Sequence, residues 1–169
     1  MDNKKCVCIG VSGGIAVYKA LDVVSALRKK DIDVRVIMTE SATKFVTPLP
    51  FQSLSQNMVV TDMFAEPKAY EIQHISLAKR ADVFLVAPAT ANIIGKVANG
   101  IADDMLSTTI MATRAKVIFA PAMNTKMYEN PIVQENINKL KDTYALIATA
   151  KENNEIKEGK FKINVLETA

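Results

Sequence analysis

The sequence predicts an α/β protein built on a doubly wound parallel sheet. Two observations support this fold class. Short apolar runs rich in β-branched residues alternate with segments of helical periodicity, and each run leads into a loop of small or polar residues. The chain has 169 residues, 49% of them apolar, and no internal repeat, so residues 1–169 are expected to form a single domain around one core.

The first two strands and the helix between them are predicted within the first 40 residues. Residues 5–11 (KCVCIGV) form a short apolar run that predicts a strand. From Ile15, apolar residues recur at spacings of three until RKKD closes the segment, which predicts a helix. Residues 33–38 (DVRVIM) predict the second strand, and two short helical segments interrupted by Pro48 and Pro50 follow it.

The alternation continues in the second half of the chain. HISLAKRA has the pattern of a helix end, and residues 82–90 (DVFLVAPAT) predict the third strand. Residues 93–113 predict a long helical stretch broken around Gly100, and residues 115–123 (AKVIFAPAM) predict the fourth strand. Strands and helices that alternate at this spacing are typical of Rossmann-like and flavodoxin-like sheets with helices on both faces.

A last helix and a polar tail complete the chain. The helix is expected to begin at Pro131, directly after Asn130, which is a favourable order of cap and first-turn proline. Residues 145–169 are polar with weak periodicity, and we expect them to form a flap or a tail.

Composition excludes several classes of protein. The net charge of +3 comes from 21 basic and 18 acidic residues spread along the chain, without the basic block of a nucleic-acid-binding protein. Neither a signal-peptide stretch nor an apolar segment of membrane-spanning length is visible, so we expect a soluble cytoplasmic protein. Cys6 and Cys8 should point to the same side of a strand as small buried hydrophobic residues, unable to form a disulfide with each other.

Four loops follow the four predicted strands, and ligands in open α/β sheets gather at that edge. The loops are residues 12–14 (SGG), 39–43 (TESAT), 88–92 (PATAN) and 121–124 (PAMN). Glycine and small hydroxyl residues let backbone N–H groups approach a phosphate at a helix N-terminus. Because neither GxGxxG nor GxxxxGK[ST] is present, a mononucleotide phosphate is favoured over NAD or ATP. Alone, SGG would predict a tight turn equally well.

A few side chains could carry chemistry, and each also has an ordinary structural explanation. His74 is the only histidine, and imidazole is the side chain that ordinarily exchanges a proton near neutral pH, although a lone helical histidine is usually a surface or core residue. Asn124 after a proline is most often a turn residue, and Met123 and Met127 at helical spacing most often pack. Asp103–Asp104 have no His or Cys at ligand spacing, so a helix cap or a solvated pair is expected rather than a metal site.

Several ordered motifs together resemble those of the flavin-containing cysteine decarboxylases, a family of homo-oligomeric FMN proteins. VSGGIAVYKA is similar to the family's amino-terminal flavin loop, and EIQHISLAKRAD places His74 on its catalytic histidine. PATANI looks like the family's PASANT motif, with Thr90 for Ser and Ile93 for Thr. PAMNTKMY looks like its PxMNxxMW motif, with Tyr128 for Trp. The resemblance covers about residues 5–140.

The resemblance implies a role for each matching residue. His74 would serve as the catalytic base, Asn124 would bind the substrate carboxylate during catalysis, and Met127 would contact the substrate. Thr90 keeps the hydroxyl of the family's Ser, so phosphate binding should survive, whereas Ile93 loses a hydroxyl and could cost one flavin contact. No metal is implied. The implied FMN contacts are Gly13, Gly14, Ile15, Thr39, Ser41, Thr90, Ala91, Asn92 and Ala122.

The chemistry of the family suits these residue types. A cysteine carboxylate does not lose CO₂ readily, because the carbanion has nowhere to delocalise; oxidation to a thioaldehyde lets the C=S group accept the electrons as an enethiolate. An imidazole can accept a proton near neutral pH. An amide at position 124 can bind a carboxylate without the ground-state stabilisation that a lysine would give.

Two substrates and one non-catalytic alternative remain open. The body of the chain looks more like coenzyme A-type enzymes that act on 4′-phosphopantothenoylcysteine, but it lacks the Cys that such enzymes carry after the last helix, since no Cys follows Cys8. EIKEGKFKINV resembles the substrate flap of enzymes that act on a C-terminal peptidyl cysteine and stop at the enethiol. The other class is an FMN-binding or regulatory protein without turnover, which retention of His74 and Asn124 argues against.

The resemblance also implies an assembly. Relatives form homotrimers with FMN at the subunit contact, often assembled into dodecamers, and a ligase domain often follows this one. The sequence itself shows no interface and does not show whether such a domain acts with this chain.

Overall fold

The computed structural model describes residues 4–64 and 72–147, and side chains up to Tyr144. Five parallel strands form one sheet in the order β2-β1-β3-β4-β5. The strands are β1 (Cys6–Val11), β2 (Asp33–Met38), β3 (Val83–Ala89), β4 (Lys116–Pro121) and β5 (Ala145–Ile147). The helices are α1 (Val17–Lys29), α2 (Glu40–Thr43), α3 (Pro48–Ser55), α4 (Gln73–Arg80), α5 (Ala91–Ala98), α6 (Met105–Ala112), α7 (Thr125–Tyr128) and α8 (Pro131–Tyr144).

This architecture confirms the predicted single-domain, doubly wound parallel sheet. The four predicted strands are present with ends shifted by at most two residues, and the strand order is that of flavodoxin-like proteins. The fifth strand was missed because three residues are too few to show a strand pattern. It forms the beginning of segment 145–169, which was predicted to be a flap or a tail; residues 148–169 lie outside the described residues.

The core consists of two apolar layers, one on each face of the sheet. Alternate side chains of β1 enter opposite layers, and Cys6 and Cys8 lie in the same layer as Phe84 and Phe119. Both thiols are free and buried, which confirms the expectation for this pair. The hydrogen bond with Cys6 and burial raise the pKa of the Cys8 thiol, so Cys8 stays protonated.

The predicted break near Gly100 separates α5 from α6. Gly100 has φ +71°, a left-handed conformation that glycine adopts without steric cost. Asp104 then caps α6 in a capping box with Ser107, and Lys96 forms ion pairs with both Asp103 and Asp104. The expected helix-cap role is therefore confirmed for Asp104. In the described ranges, 4–64 and 72–147, no helix is both long and apolar enough to cross a membrane.

Asp33 ties α4 to the amino edge of the sheet. Its carboxylate accepts hydrogen bonds from Arg35 (3.1 Å), Arg80 at the end of α4 (3.2 Å) and Asn57 (3.0 Å). Burial opposes ionisation of this half-buried group, but these donors and the two arginine charges outweigh burial and lower the pKa of Asp33. Asp33 therefore contributes to stability as a carboxylate.

Replacing Asp33 with Asn should destabilise the protein in a pH-dependent way. A lowered pKa in the folded state means that the stabilisation is present above the unfolded pKa of about 4 and is lost as pH falls through the folded pKa. We expect Asp33→Asn to lower the free energy of unfolding by about 1–2 kcal/mol at pH 7, with a smaller loss below about pH 4. Urea unfolding across pH 3–8 measures this difference. A pH-independent difference would contradict the carboxylate's role, and Asp22→Asn, at an exposed position of α1 whose carboxylate accepts no described hydrogen bond, is the control.

Gly10 has no room for a side chain. A Cβ atom there would lie 2.3 Å from Leu106 Cδ1 and 3.2 Å from Phe84 Cε1, inside the packed core. We expect Gly10→Ala to lower the free energy of unfolding by about 1–3 kcal/mol because the core must shift to admit it. Gly95→Ala in α5 is the matched control, since its Cβ would meet nothing closer than 3.7 Å and should raise stability. Equal effects of the two substitutions in chemical denaturation would contradict this packing.

Candidate flavin site

The candidate site lies where the strand order reverses. The chain leaves β1 towards β2 on one side and returns to β3 on the other, so the carboxyl ends of β1 and β3 border a crevice. Residues 12–14 follow β1 and Thr90 follows β3. The crevice therefore brings the first and third predicted ligand loops together.

Ser12 joins these two loops. Its side chain is 2% exposed, and its hydroxyl donates to Pro88 O at 2.6 Å and accepts from the Thr90 N–H at 3.0 Å. Its backbone N–H also donates to Pro88 O at 3.3 Å. The candidate residues chosen from the sequence did not include Ser12, although a small hydroxyl residue directly after a buried strand was a usable signal.

The second loop packs directly on the first. A Cβ atom on Gly13 would lie 2.5 Å from Ser41 Cβ and 2.8 Å from the Ser41 carbonyl carbon, so only glycine fits here. A Cβ atom on Gly14 would lie 3.6 Å from Thr90 Cγ2. Three of the four predicted loops therefore meet within van der Waals distance.

Backbone N–H groups from these three loops are left available. The N–H groups of residues 13–15, 40–41 and 91–92 donate no hydrogen bond within the described part of the chain. Thr39 and Thr90 cap the helices that follow them: the Ala42 N–H donates to Thr39 Oγ1 at 3.2 Å and the Ile93 N–H to Thr90 Oγ1 at 3.4 Å. The free donors are those that helix starts leave for an external acceptor.

The fourth loop is attached to the same edge. The Ala122 N–H donates to Ala89 O at 3.0 Å, which continues the contact between β3 and β4. Asn124 is exposed and caps α7, because its Oδ1 accepts from the Lys126 N–H at 2.9 Å. The amide NH₂ of Asn124 donates to no described residue. Met127 is half-exposed, whereas Met123 packs against the core.

Comparison with known proteins identifies the family. A family model described as Flavoprotein matches residues 1–165. The chain belongs to the Flavoprotein family. It is 55% identical to the coenzyme A biosynthesis bifunctional protein CoaBC of Bacillus subtilis over 87% of this chain and 36% of that protein. It is 48% identical to a probable phosphopantothenoylcysteine decarboxylase of Streptococcus mutans over 81% of this chain and 78% of that protein.

Solved structures share the fold of this flavoprotein. The FMN-dependent cysteine decarboxylase SpaF has a TM-score of 0.82 at 31% identity and covers 89% of this chain and 86% of its own. A cysteine-to-serine mutant of PPC decarboxylase, complexed with pantothenoylaminoethenethiol, has a TM-score of 0.76 at 28% identity and covers 86% of this chain and 82% of its own. The chain spans only about a third of the length of the first curated relatives that it matches, such as the Bacillus protein.

The residues at the edge of this flavoprotein fit a phosphorylated flavin. Gly13 lets the first loop pack closely against Ser41, and the unpaired backbone N–H groups form a set of donors without an internal acceptor. Such a donor set suits a phosphate. Within the described residues, no group of three His, Cys, Asp or Glu could hold a metal ion.

Two predicted positions stand apart from these loops. His74 lies in the first turn of α4, six residues before Arg80 and so about 9 Å from it along the helix axis. The His74 side chain is half-buried and makes no hydrogen bond with Asn124 or with any other described residue. Ile93 is 1% exposed in the core. The exchange of a hydroxyl for an apolar side chain at position 93 therefore suits its surroundings.

Proposed function

We propose that this flavoprotein binds FMN and decarboxylates a cysteine carboxylate, with 4′-phosphopantothenoylcysteine as substrate. The observation that carries the proposal is the orientation of the Asn124 side chain at the carboxyl edge of the sheet. Its Oδ1 accepts the hydrogen bond that caps α7, while its NH₂ group is exposed and donates to no described residue. The similarity to relatives named for coenzyme A biosynthesis supports the choice of substrate. We propose that the protein acts in the cytoplasm.

FMN would be held at the three loops that meet at the crevice. The N–H groups of residues 13–15 and 91–92 and the Thr90 hydroxyl would bind the phosphate, and residues 39–41 and Ala122 would border the rest of the cofactor. When bound, FMN supplies a two-electron acceptor that oxidises the cysteine side chain of the substrate.

Asn124 would orient the carboxylate that leaves as CO₂. Its cap hydrogen bond fixes which end of the amide faces outward, so both N–H donors can meet carboxylate oxygens without neutralising them. Met127, half-exposed in the same short helix, would border the substrate. His74 would take a proton from the substrate at its imidazole nitrogen, as the resemblance implies.

A homotrimer would complete the site. Large apolar side chains are exposed just before α1 and after α2, with Ile15 79% and Phe45 52% exposed. We propose that a neighbouring subunit covers them and that His74 meets the flavin across that contact. We also propose that trimers assemble further into dodecamers.

A C-terminal peptidyl cysteine is the second candidate substrate. Its support is the structural likeness to the peptidyl-cysteine decarboxylase EpiD and the absence of any Cys after Cys8. The PPC decarboxylase structure that lacks one cysteine holds pantothenoylaminoethenethiol. We propose that this chain, on either substrate, likewise forms an enethiol more readily than a fully reduced thiol.

Product masses test the reaction and distinguish the substrates. Purified protein with FMN would be incubated with phosphopantothenoylcysteine and, separately, with peptides ending in Cys. We expect phosphopantothenoylcysteine to lose CO₂ and two hydrogens. The same loss from the peptide alone would select the second substrate, and loss from neither would indicate a non-catalytic FMN-binding protein. CO₂ release with complete re-oxidation of the flavin under anaerobic conditions would contradict enethiol formation.

Asn124→Asp should abolish most activity while preserving the fold. Aspartate caps helices as well as asparagine does, so α7 should keep its start. The lost donors and the added negative charge should lower kcat/KM about 100-fold or more, with FMN still bound. Asn130→Asp is the matched control, because Asn130 caps α8 by the same bond to the N–H two residues later, at 2.9 Å. Wild-type turnover by Asn124→Asp would leave Asn124 as a turn residue only.

A further inference from the structure

Ser12 is a buried polar residue that has no role in the function proposed above. It lies between the end of β1 and the glycines of the first loop, and its side chain is 2% exposed. A buried hydroxyl loses its hydration, which costs stability unless the hydroxyl finds partners. The partners of Ser12 all belong to the loop that ends β3.

The hydrogen bonds of Ser12 fix the direction of its proton. A hydroxyl has one proton, and the distance of 2.6 Å to Pro88 O indicates that this carbonyl receives it. The oxygen of Ser12 then accepts the Thr90 N–H at 3.0 Å. The two hydroxyl oxygens of Ser12 and Thr90 lie 3.2 Å apart. Thr90 Oγ1 accepts the Ile93 N–H at 3.4 Å, and its own proton can turn either to Ser12 Oγ or to an external acceptor.

We infer that Ser12 is a positioning residue for the phosphate end of the flavin site. It holds the backbone of Thr90 in place, and with it the Thr90 hydroxyl and the first free N–H groups of α5. A phosphate that arrives at this edge meets donors already aligned and does not have to order them. The inference rests on the proposed function, because it requires FMN to bind at these loops.

The binding of two flavins tests this role. FMN and riboflavin differ only in the phosphate, so a residue that positions the phosphate donors should affect FMN and spare riboflavin. We expect Ser12→Ala to raise the Kd for FMN about tenfold, as measured by quenching of flavin fluorescence in the apoprotein, and to change the Kd for riboflavin less than about twofold.

Ser55→Ala is a matched control. Ser55 is also fully buried, and its hydroxyl donates to Asn57 O and accepts the Asn57 N–H, both at 3.2 Å, at the end of α3. The same atoms are removed at the same depth, so thermal unfolding of the two apoproteins compares their structural cost. We expect Ser55→Ala to leave the Kd values of both flavins unchanged.

The possible results separate the inference from the proposed function. Equal increases in Kd for FMN and riboflavin, or equal effects of the Ser12 and Ser55 substitutions on FMN, would overturn the role of Ser12 while FMN binding stood. Wild-type protein that binds neither flavin would overturn the proposed function and the inference with it. If Ser12→Ala does not fold, Ser12→Cys takes its place; its weaker hydrogen bonds should still raise the FMN Kd selectively.

Discussion

The hydrogen bonds between the ends of β1 and β3 hold the candidate site together. Parallel pairing places the carboxyl ends of all five strands at one edge, and the reversal of strand order opens a crevice there. Ser12 closes the base of this crevice by binding Pro88 and Thr90, and Gly13 lets the loop after β2 approach to contact distance. Without these contacts, nothing would hold the three loops together, and their free N–H groups would not form one set of donors.

The residues that position the site differ from the groups that are proposed to bind ligands. The residues that position it are buried and paired: Ser12 between two strands, and Phe84 and Leu106 beneath Gly10 in the core. The groups proposed to meet ligands are exposed or unpaired, including the Asn124 amide NH₂ and the N–H groups at the helix starts. This division allows an acceptor to be bound without reorganisation of the fold.

Asn124 shows that a structural role and a proposed functional role can share one side chain. Its oxygen caps α7, which is the ordinary behaviour of an asparagine after a proline turn. The same bond aims the NH₂ group outward at the edge where the loops meet. The two interpretations of this residue are therefore compatible, and the cap provides the orientation that carboxylate binding would need.

The sequence by itself determined the fold class, four strands and the four loops, because strand runs and helix starts are local patterns of apolar spacing, glycine and caps. It also determined the Asp104 cap and the burial of the two cysteines. Tertiary structure decided what depends on distant contacts. A strand of three residues, such as β5, is too short to show a local pattern. The hydrogen bonds of Ser12 show none either, because Pro88 and Thr90 lie 76 and 78 positions further along the chain. Likewise, only packing shows that Gly13 lies against Ser41, because the closeness of two loops depends on the strand order and not on the residues within either loop.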